Sequence, residues 1–240
     1  VDSSAAQALR VEYGLDGTLV EQYFRWFSKF VQGDMGRSFA WQWRPVAELL
    51  RERLPFTIVL SLFTLVFTYA VAVPIGIYAA THQYSLGDYV LSVVGFIGLA
   101  IPNFMFALIL LYLSFVWFGQ SVGGLFSPEF IDAAWSLAKI GDLIRHLWIP
   151  VLVVGMNGAA GLIRVLRNNL LDELQKPYVM AARAKGMHPL KVLFKYPLRV
   201  AINPFLSTAG WLLPQLISGA AIASVVLSLQ TDGAVLLNAL

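Results

Sequence analysis

The chain has 240 residues, of which 58% are hydrophobic and only 13% charged, whereas a soluble domain carries about a quarter charged residues. With a mean hydropathy of +0.69 the chain belongs in a bilayer. A formal net charge of +3 argues against a nucleic-acid partner, and the absence of cysteine excludes disulfides and thiolate metal sites while leaving the redox compartment unread.

The opening Val1-Asp2-Ser3-Ser4 has neither a basic flank nor an apolar run, so no cleavable signal peptide is visible, and the missing Met implies an incomplete chain. Residues 1–54 hold seven cations and seven acids and are predicted as an external segment. Within it, Gln22–Val31 reads as a short amphipathic helix ended by Gly33, Asp34 and Gly36. Pro45–Arg53 reads as another, with Pro45 at the first helical position. Its stripe of Val46, Leu49 and Leu50 either lies along the membrane surface or caps the outer face of the bundle.

Four stretches without a charged side chain follow: Pro55–Ala80, Tyr89–Phe118, Leu147–Ile163 and Val200–Leu229. Each matches the roughly 20 residues needed to cross about 30 Å of hydrocarbon. Between Arg164 and Arg199 lie eight cations against Asp172 and Glu173, which places that segment in the cytoplasm. By alternation the turn 81–88 is internal, while 119–146 and 230–240 are external, the last leading to a further span. Arg51 and Arg53 at the outer end of the first span oppose this orientation, but the larger cluster outweighs them. Trp117, Phe118 and Trp148 then fall near the outer boundary and Tyr78, Tyr84 and Tyr89 near the inner one, where amphipathic rings prefer to sit.

Pro74, Pro102, Pro204 and Pro214 are candidate bends, because an internal proline removes a backbone hydrogen bond. Pro102 with Asn103 sits mid-span and serves either as a hinge on a translocation path or as static packing. Gly155, Gly158, Ala159 and Gly161 permit close helix approach, and Asn157 among them either bonds a neighbouring helix or faces water. The spans lack the ionisable groups that proton relays and voltage sensors use. There is no His-Glu-x-x-His pair and no phosphate-binding glycine loop, and His82, His146 and His188 are too dispersed for a metal. If ATP drives this protein, another chain binds it.

The basic segment predicts two short helices. Tyr178 to Lys185 is rich in helix formers, Gly186 suits a left-handed C-terminal cap and Pro189 opens a new helix. Ala181, Ala182 and Ala184 keep the first helix slim enough for a groove on a partner, which Arg183 and Lys185 would meet with charge.

Ala181-Ala182-Arg183-Ala184-Lys185-Gly186, followed by Leu198 after eleven residues, resembles the coupling-loop signature of ATP-binding-cassette importer permeases: Glu-Ala-Ala, three residues, Gly, nine residues, Ile, any residue, Leu-Pro. Met180, Tyr196 and Arg199 depart from it. With Tyr178 and the later Leu198-Arg199, they make the segment similar to the dipeptide/oligopeptide branch. Gln22-Tyr23 with Trp26, Gly33 to Phe39, Val73-Pro74-Ile75-Gly76 with Ala79-Ala80, and Ile101-Pro102-Asn103-Phe104 are similar to that branch as well. Two positions often acidic in the family are Ala220 and Ala223 here, so no role is carried over to them.

The resemblance implies an all-α integral membrane protein, a polytopic helical bundle of the type I importer permease fold, with four of about six spans present. It implies a bacterial or archaeal cytoplasmic membrane, a homologous second permease subunit, two ATP-binding subunits carrying ATP and Mg, and a soluble binding protein that delivers di- or oligopeptides. Relatives of the branch also carry nickel, glutathione or oligosaccharides. Coupling to the ATPase would fall to Tyr178, Ala181, Ala182, Arg183, Ala184, Lys185, Gly186 and Leu198, and the path or its hinge to Pro102, Asn103 and Asn157. A membrane enzyme would need a nucleophile and base, which the spans lack, and a plain membrane scaffold would not need the alanine-glycine loop.

Overall fold

A computed structural model of the protein describes residues 10–11, 17–119, 123–208, 210–211 and 221–239. The chain forms two compact units, Val1–Arg53 and Leu54–Asn238.

In the first unit, helix α1 is Leu19–Val31. It starts three residues before the predicted Gln22 because Thr18 and Glu21 form a reciprocal capping box. Gly33 and Gly36 take positive φ angles of 86° and 75°, and the Asp34 carboxylate accepts the Gly36 N–H at 2.9 Å, so this stretch turns as predicted. A 3₁₀ turn at Phe39–Trp41 follows. Arg44 pairs with Glu48 and Glu52 at the start of α2.

Helix α2 is Val46–Thr81, 36 residues without interruption. The expected division between a surface helix ending at Arg53 and a span starting at Pro55 does not occur. Arg51, Glu52 and Arg53 are good helix formers, and charge alters a helix's surroundings more than its backbone. Pro45 lies just before the helix rather than at its first position.

The second unit continues with α3, Leu86–Ala100, α4, Asn103–Phe118, and α5, Leu137–Leu174. Here the predicted single span Tyr89–Phe118 is corrected: it is two helices. Ile101 is extended (ψ 122°), as the residue before a proline prefers, and Pro102 is extended too (ψ 138°) and caps α4. The helices have 15 and 16 residues, each roughly 23 Å long and so shorter than the hydrocarbon layer. Asp88 meets Arg167, Gly95 faces Ala160 and Gly98 faces Met156, an antiparallel register on α5. Beyond the break Ala107, Phe106 and Leu111 join Leu143, Leu147, Ile149 and Val153 in one core cluster.

Helices α2 and α5 run parallel, with Thr68 against Gly155 and Gly76 against Leu166. They pack closely because one side of α2 carries small or hydroxyl residues at helical spacing: Thr57, Ser61, Thr64, Thr68 and Ala72, all buried. Gly155 is needed for that approach. The Thr68 hydroxyl donates to its carbonyl at 3.3 Å, and a Cβ on it would stand 2.6 Å from the Phe67 ring. Of the other small residues, Ala159 is buried while Gly161 faces open space.

With 38 residues, or about 57 Å, α5 outruns the predicted span Leu147–Ile163 at both ends. At one end, residues assigned to a loop pin the helix start. Buried Lys139 donates to the Ile131 and Ala133 carbonyls at 3.2 and 2.7 Å beside the Phe126 and Trp135 rings, and Asp142 accepts from the Ser127 N–H and hydroxyl at 2.8 and 2.7 Å. Pro74 and Pro150 lie inside continuous helices, so the Pro74 bend is not a break. Helices α6 (Pro177–Ala184), α7 (Pro189–Lys195) and α8 (Pro197–Ser207) follow, Pro204 lying inside α8. Then come α9 (Ala221–Val226) and α10 (Asp232–Ala239). The predicted span Val200–Leu229 thus appears as α8 and α9, with residues 212–220, Pro214 and Ala220 among them, outside the described residues. Ala223 is buried in the core.

The contacts sort the ends of these helices into two sets. Gly124 bonds Leu227 and the Asp232 N–H bonds the Thr57 hydroxyl at one end, while Asp88 bonds Arg167 at the other. Alternation requires this grouping.

Gly155→Leu is expected to lower stability by about 1–3 kcal/mol, since overpacking there forces the Phe67 ring or a backbone to move. Gly161→Ala is expected to cost nothing. Thermal unfolding in detergent checks the pair, and equal losses at both sites would contradict the packing described.

Candidate coupling site

The basic segment is mostly helix. Arg164, Arg167, Asp172 and Glu173 lie on α5, so the predicted loop begins only at Gln175. Pro177 opens α6 at the position where its missing N–H costs nothing, and Gly186 ends the turn in the left-handed region (φ +74°). Pro189 opens α7. The helix-turn-helix predicted for this stretch is present.

A small apolar core of Val179, Ala182 and Val192, with Met187 and Tyr196 against it, closes the hairpin. Two residues then fasten the hairpin to the bundle: Leu193 and Leu198 are buried with Leu166 and Leu170 of α5, Ala72 and Ala80 of α2, and Phe205 of α8. Tyr178 donates its hydroxyl to the Glu173 carboxylate, bridging α6 to the end of α5. Partial burial and then that carboxylate push its phenol up to about 12, so it remains a donor at neutral pH.

This geometry separates the eight residues proposed for coupling. Tyr178, Ala181, Arg183, Ala184, Lys185 and Gly186 are exposed on one hairpin. Two expectations need correcting. Ala182 faces inward, where a small side chain lets α7 approach, and Leu198 is an anchor in the bundle core; neither is presented to a partner. Sequence reasoning missed three exposed apolar side chains of the hairpin, Met180, Leu190 and Phe194, which are 55%, 59% and 56% exposed. Met180 departs from the importer motif, and that departure was the available signal.

Pro102, Asn103 and Asn157 stand apart from the hairpin. Pro102 and Asn103 form the α3–α4 break. The register of α3 on α5 puts that break about 7 Å along the axis from Asn157. Asn157 is exposed on α5.

A second feature missed in the sequence is the ion pair where α3 begins. Ser85 caps α3 by accepting the Asp88 N–H, and the Asp88 carboxylate accepts the Tyr84 N–H at 3.1 Å and Arg167 Nε and Nη2 at 3.2 and 2.9 Å. The signal was one acid in the turn 81–88, on the same side as a run of eight cations.

Residues 72–240, from the middle of α2 through the hairpin to the end of the chain, match the family model described as binding-protein-dependent transport system inner membrane component. The chain belongs to that family: it is a transport permease component of a membrane and not an enzyme. It is 36% identical over 233 residues to the oligopeptide transport system permease protein AppB of Bacillus subtilis, a match covering 94% of this chain and 71% of the relative. A putative peptide permease protein of Brucella ovis is 33% identical over 235 residues, covering 97% and 71%. The oligopeptide transport system permease protein OppB of Mycobacterium tuberculosis is 32% identical over 216 residues, covering 87% and 65%.

Leu198→Ala is expected to destabilise the protein by about 2–5 kcal/mol, whereas Met180→Ala on the exposed face changes stability by less than about 0.5 kcal/mol. Unfolding of the purified protein in detergent distinguishes them; a tolerated Leu198→Ala would mean that the hairpin is not anchored as described.

Proposed function

We propose that the chain is the membrane-spanning permease subunit of an ATP-driven importer of peptides, with the α6–Gly186–α7 hairpin as the handle on which a separate ATPase acts. The observation that carries this reading is the hairpin's construction. Leu193 of α7 packs it into the bundle core together with Leu198 of α8, and it leaves Ala181, Arg183, Ala184 and Lys185 exposed, along with Met180, Leu190 and Phe194. The sequence carries no Gly-x-x-x-x-Gly-Lys-Ser/Thr phosphate loop, and in this reading the energy arrives mechanically from a separate ATPase. Relatives named for oligopeptide and peptide transport, at 36% and 33% identity over nearly the whole chain, support a peptide cargo.

In this mechanism ATP and Mg reside on two partner subunits. A homologous second permease completes the pathway in a bacterial or archaeal cytoplasmic membrane, and a soluble binding protein hands over the peptide outside. Residues 1–54 and the stretch from 230 lie on that outer side. ATP biases the spans between inward-open and outward-open arrangements only through its different affinity for the two, and the hairpin conveys that difference as a lever. The discontinuity at Pro102 and Asn103, near Asn157, is where the path-lining helices can rearrange. Their weakly polar walls suit a conduit that leaves selectivity to the binding protein.

The test uses the cysteine-free chain co-assembled with its ATPase. Single cysteines at Met180 and Ala184, both exposed, are expected to crosslink to the ATPase in at least one nucleotide state. Failure at both sites in every state would falsify the docking. Gly186→Val forces a β-branched residue into the left-handed region at a cost of about 1–2 kcal/mol, which shifts a two-state hairpin about 5–30-fold away from its docked form. Peptide-stimulated ATP hydrolysis should fall accordingly while membrane insertion persists.

A further inference from the structure

The ion pair between Asp88 and Arg167 joins two elements that the mechanism treats separately. Arg167 lies on the part of α5 that continues past the apolar span and, seven residues later, gives way to the hairpin. Asp88 lies in the first turn of α3, the first half of the broken helix. Asp88 is only 4% exposed, and both Arg167 contacts are charge-assisted hydrogen bonds in a forked geometry, which fixes orientation as well as distance. The carboxylate is simultaneously held by the Tyr84 N–H, where the chain takes a left-handed turn (φ +61°) into α3. Both ends of the link are therefore rigid.

Adhesion alone does not require this arrangement, because a buried ion pair holds two helices no better than an apolar contact of equal volume; its distinctive contribution is register and orientation. At the other end of α3 the helix stops. No helical hydrogen bond bridges Ile101 and Pro102, so α3 can pivot against α4 without breaking a ladder. A helix clamped at its Asp88 end, with no helical continuation at its far end, moves with whatever holds the clamp.

We propose that Asp88 and Arg167 are a positioning pair that makes α3 follow α5 when the hairpin is displaced, concentrating the rearrangement at the Ile101–Pro102 break. This rests on the reading of the chain as an ATP-driven permease subunit. The pair touches neither peptide nor nucleotide; it acts through α3.

The experiment uses the full transporter reconstituted in vesicles, with an oligopeptide as cargo. Asp88→Asn and Arg167→Gln are expected to raise the ATP hydrolysed per peptide moved by about fivefold or more, the lower end of typical coupling strengths, and the double exchange Asp88→Arg with Arg167→Asp to recover most of it. A merely structural role would lower hydrolysis and transport together and leave the ratio unchanged. Spin labels give the second readout. In the parent protein the distance between labels at Tyr89 and Asp172, on α3 and α5, should stay constant across nucleotide states, while that between Tyr89 and Tyr112, across the break, changes. Single variants with the parent's coupling ratio, or a Tyr89–Asp172 distance that moves with nucleotide, overturn the assignment. If one single variant fails to assemble, the other is labelled instead, and a Tyr89–Asp172 distance as constant across nucleotide states in it as in the parent overturns the assignment. A parent complex whose ATP hydrolysis ignores peptide altogether would instead overturn the transport reading beneath it.

Discussion

The larger unit is organised by one rod. Helix α5 is about twice as long as a bilayer crossing requires, and each of its neighbours takes its register from it: α2 running parallel through Gly155 and Leu166, α3 and α4 antiparallel through Arg167, Ala160, Met156 and Leu147. An uninterrupted helix is stiff because every interior peptide group is bonded within it. Its excess length is used at both ends. Lys139 and Asp142 gather the segment from Leu125 to Trp135 onto one end, and Arg167, Leu166 and Leu170 bind the turn, α2 and the hairpin's anchors at the other.

Flexibility is placed elsewhere, in the helix beside the rod. Two proline-containing helices, α2 with Pro74 and α5 with Pro150, remain continuous, while the stretch Tyr89–Phe118 breaks at Pro102. At Pro102 the extended residue before it and the capping conformation of the proline itself reinforce each other, so the ladder ends and restarts. In the proposed mechanism a long helix, an ion pair on one half of a broken helix and an anchored hairpin are the parts that a two-state bundle would use.

Much of this was legible from residue types. Gly186 had to be left-handed because no other residue at that spacing ends a helix so cheaply, and Pro177 and Pro189 mark helix starts by the donor they lack. Charge distribution sorted the helix ends into two sets before any contact was known. The errors share one cause: hydropathy measures environment rather than backbone conformation. Charge at Arg51–Arg53 suggests the end of a separate surface helix and charge from Arg164 to Glu173 suggests a loop, yet both lie inside continuous helices, while the uncharged run from Tyr89 to Phe118, expected as one span, is two helices.

Side-chain direction lay beyond the sequence. Ala181, Ala182 and Ala184 are chemically the same residue, and only the packing of α7 against α6 turns Ala182 inward and leaves the others exposed. Leu198 looks like part of a motif until the bundle core closes over it. Asp88 and Arg167, 79 positions apart, become partners only when two antiparallel helices align. Composition, hydropathy and glycine and proline placement by themselves determined that the chain is helical, lies in a membrane and carries a basic helix-turn-helix, because those properties are local. Which residues anchor, which are offered and which are paired was decided by tertiary structure, because burial and ion pairing depend on what arrives from elsewhere in the chain.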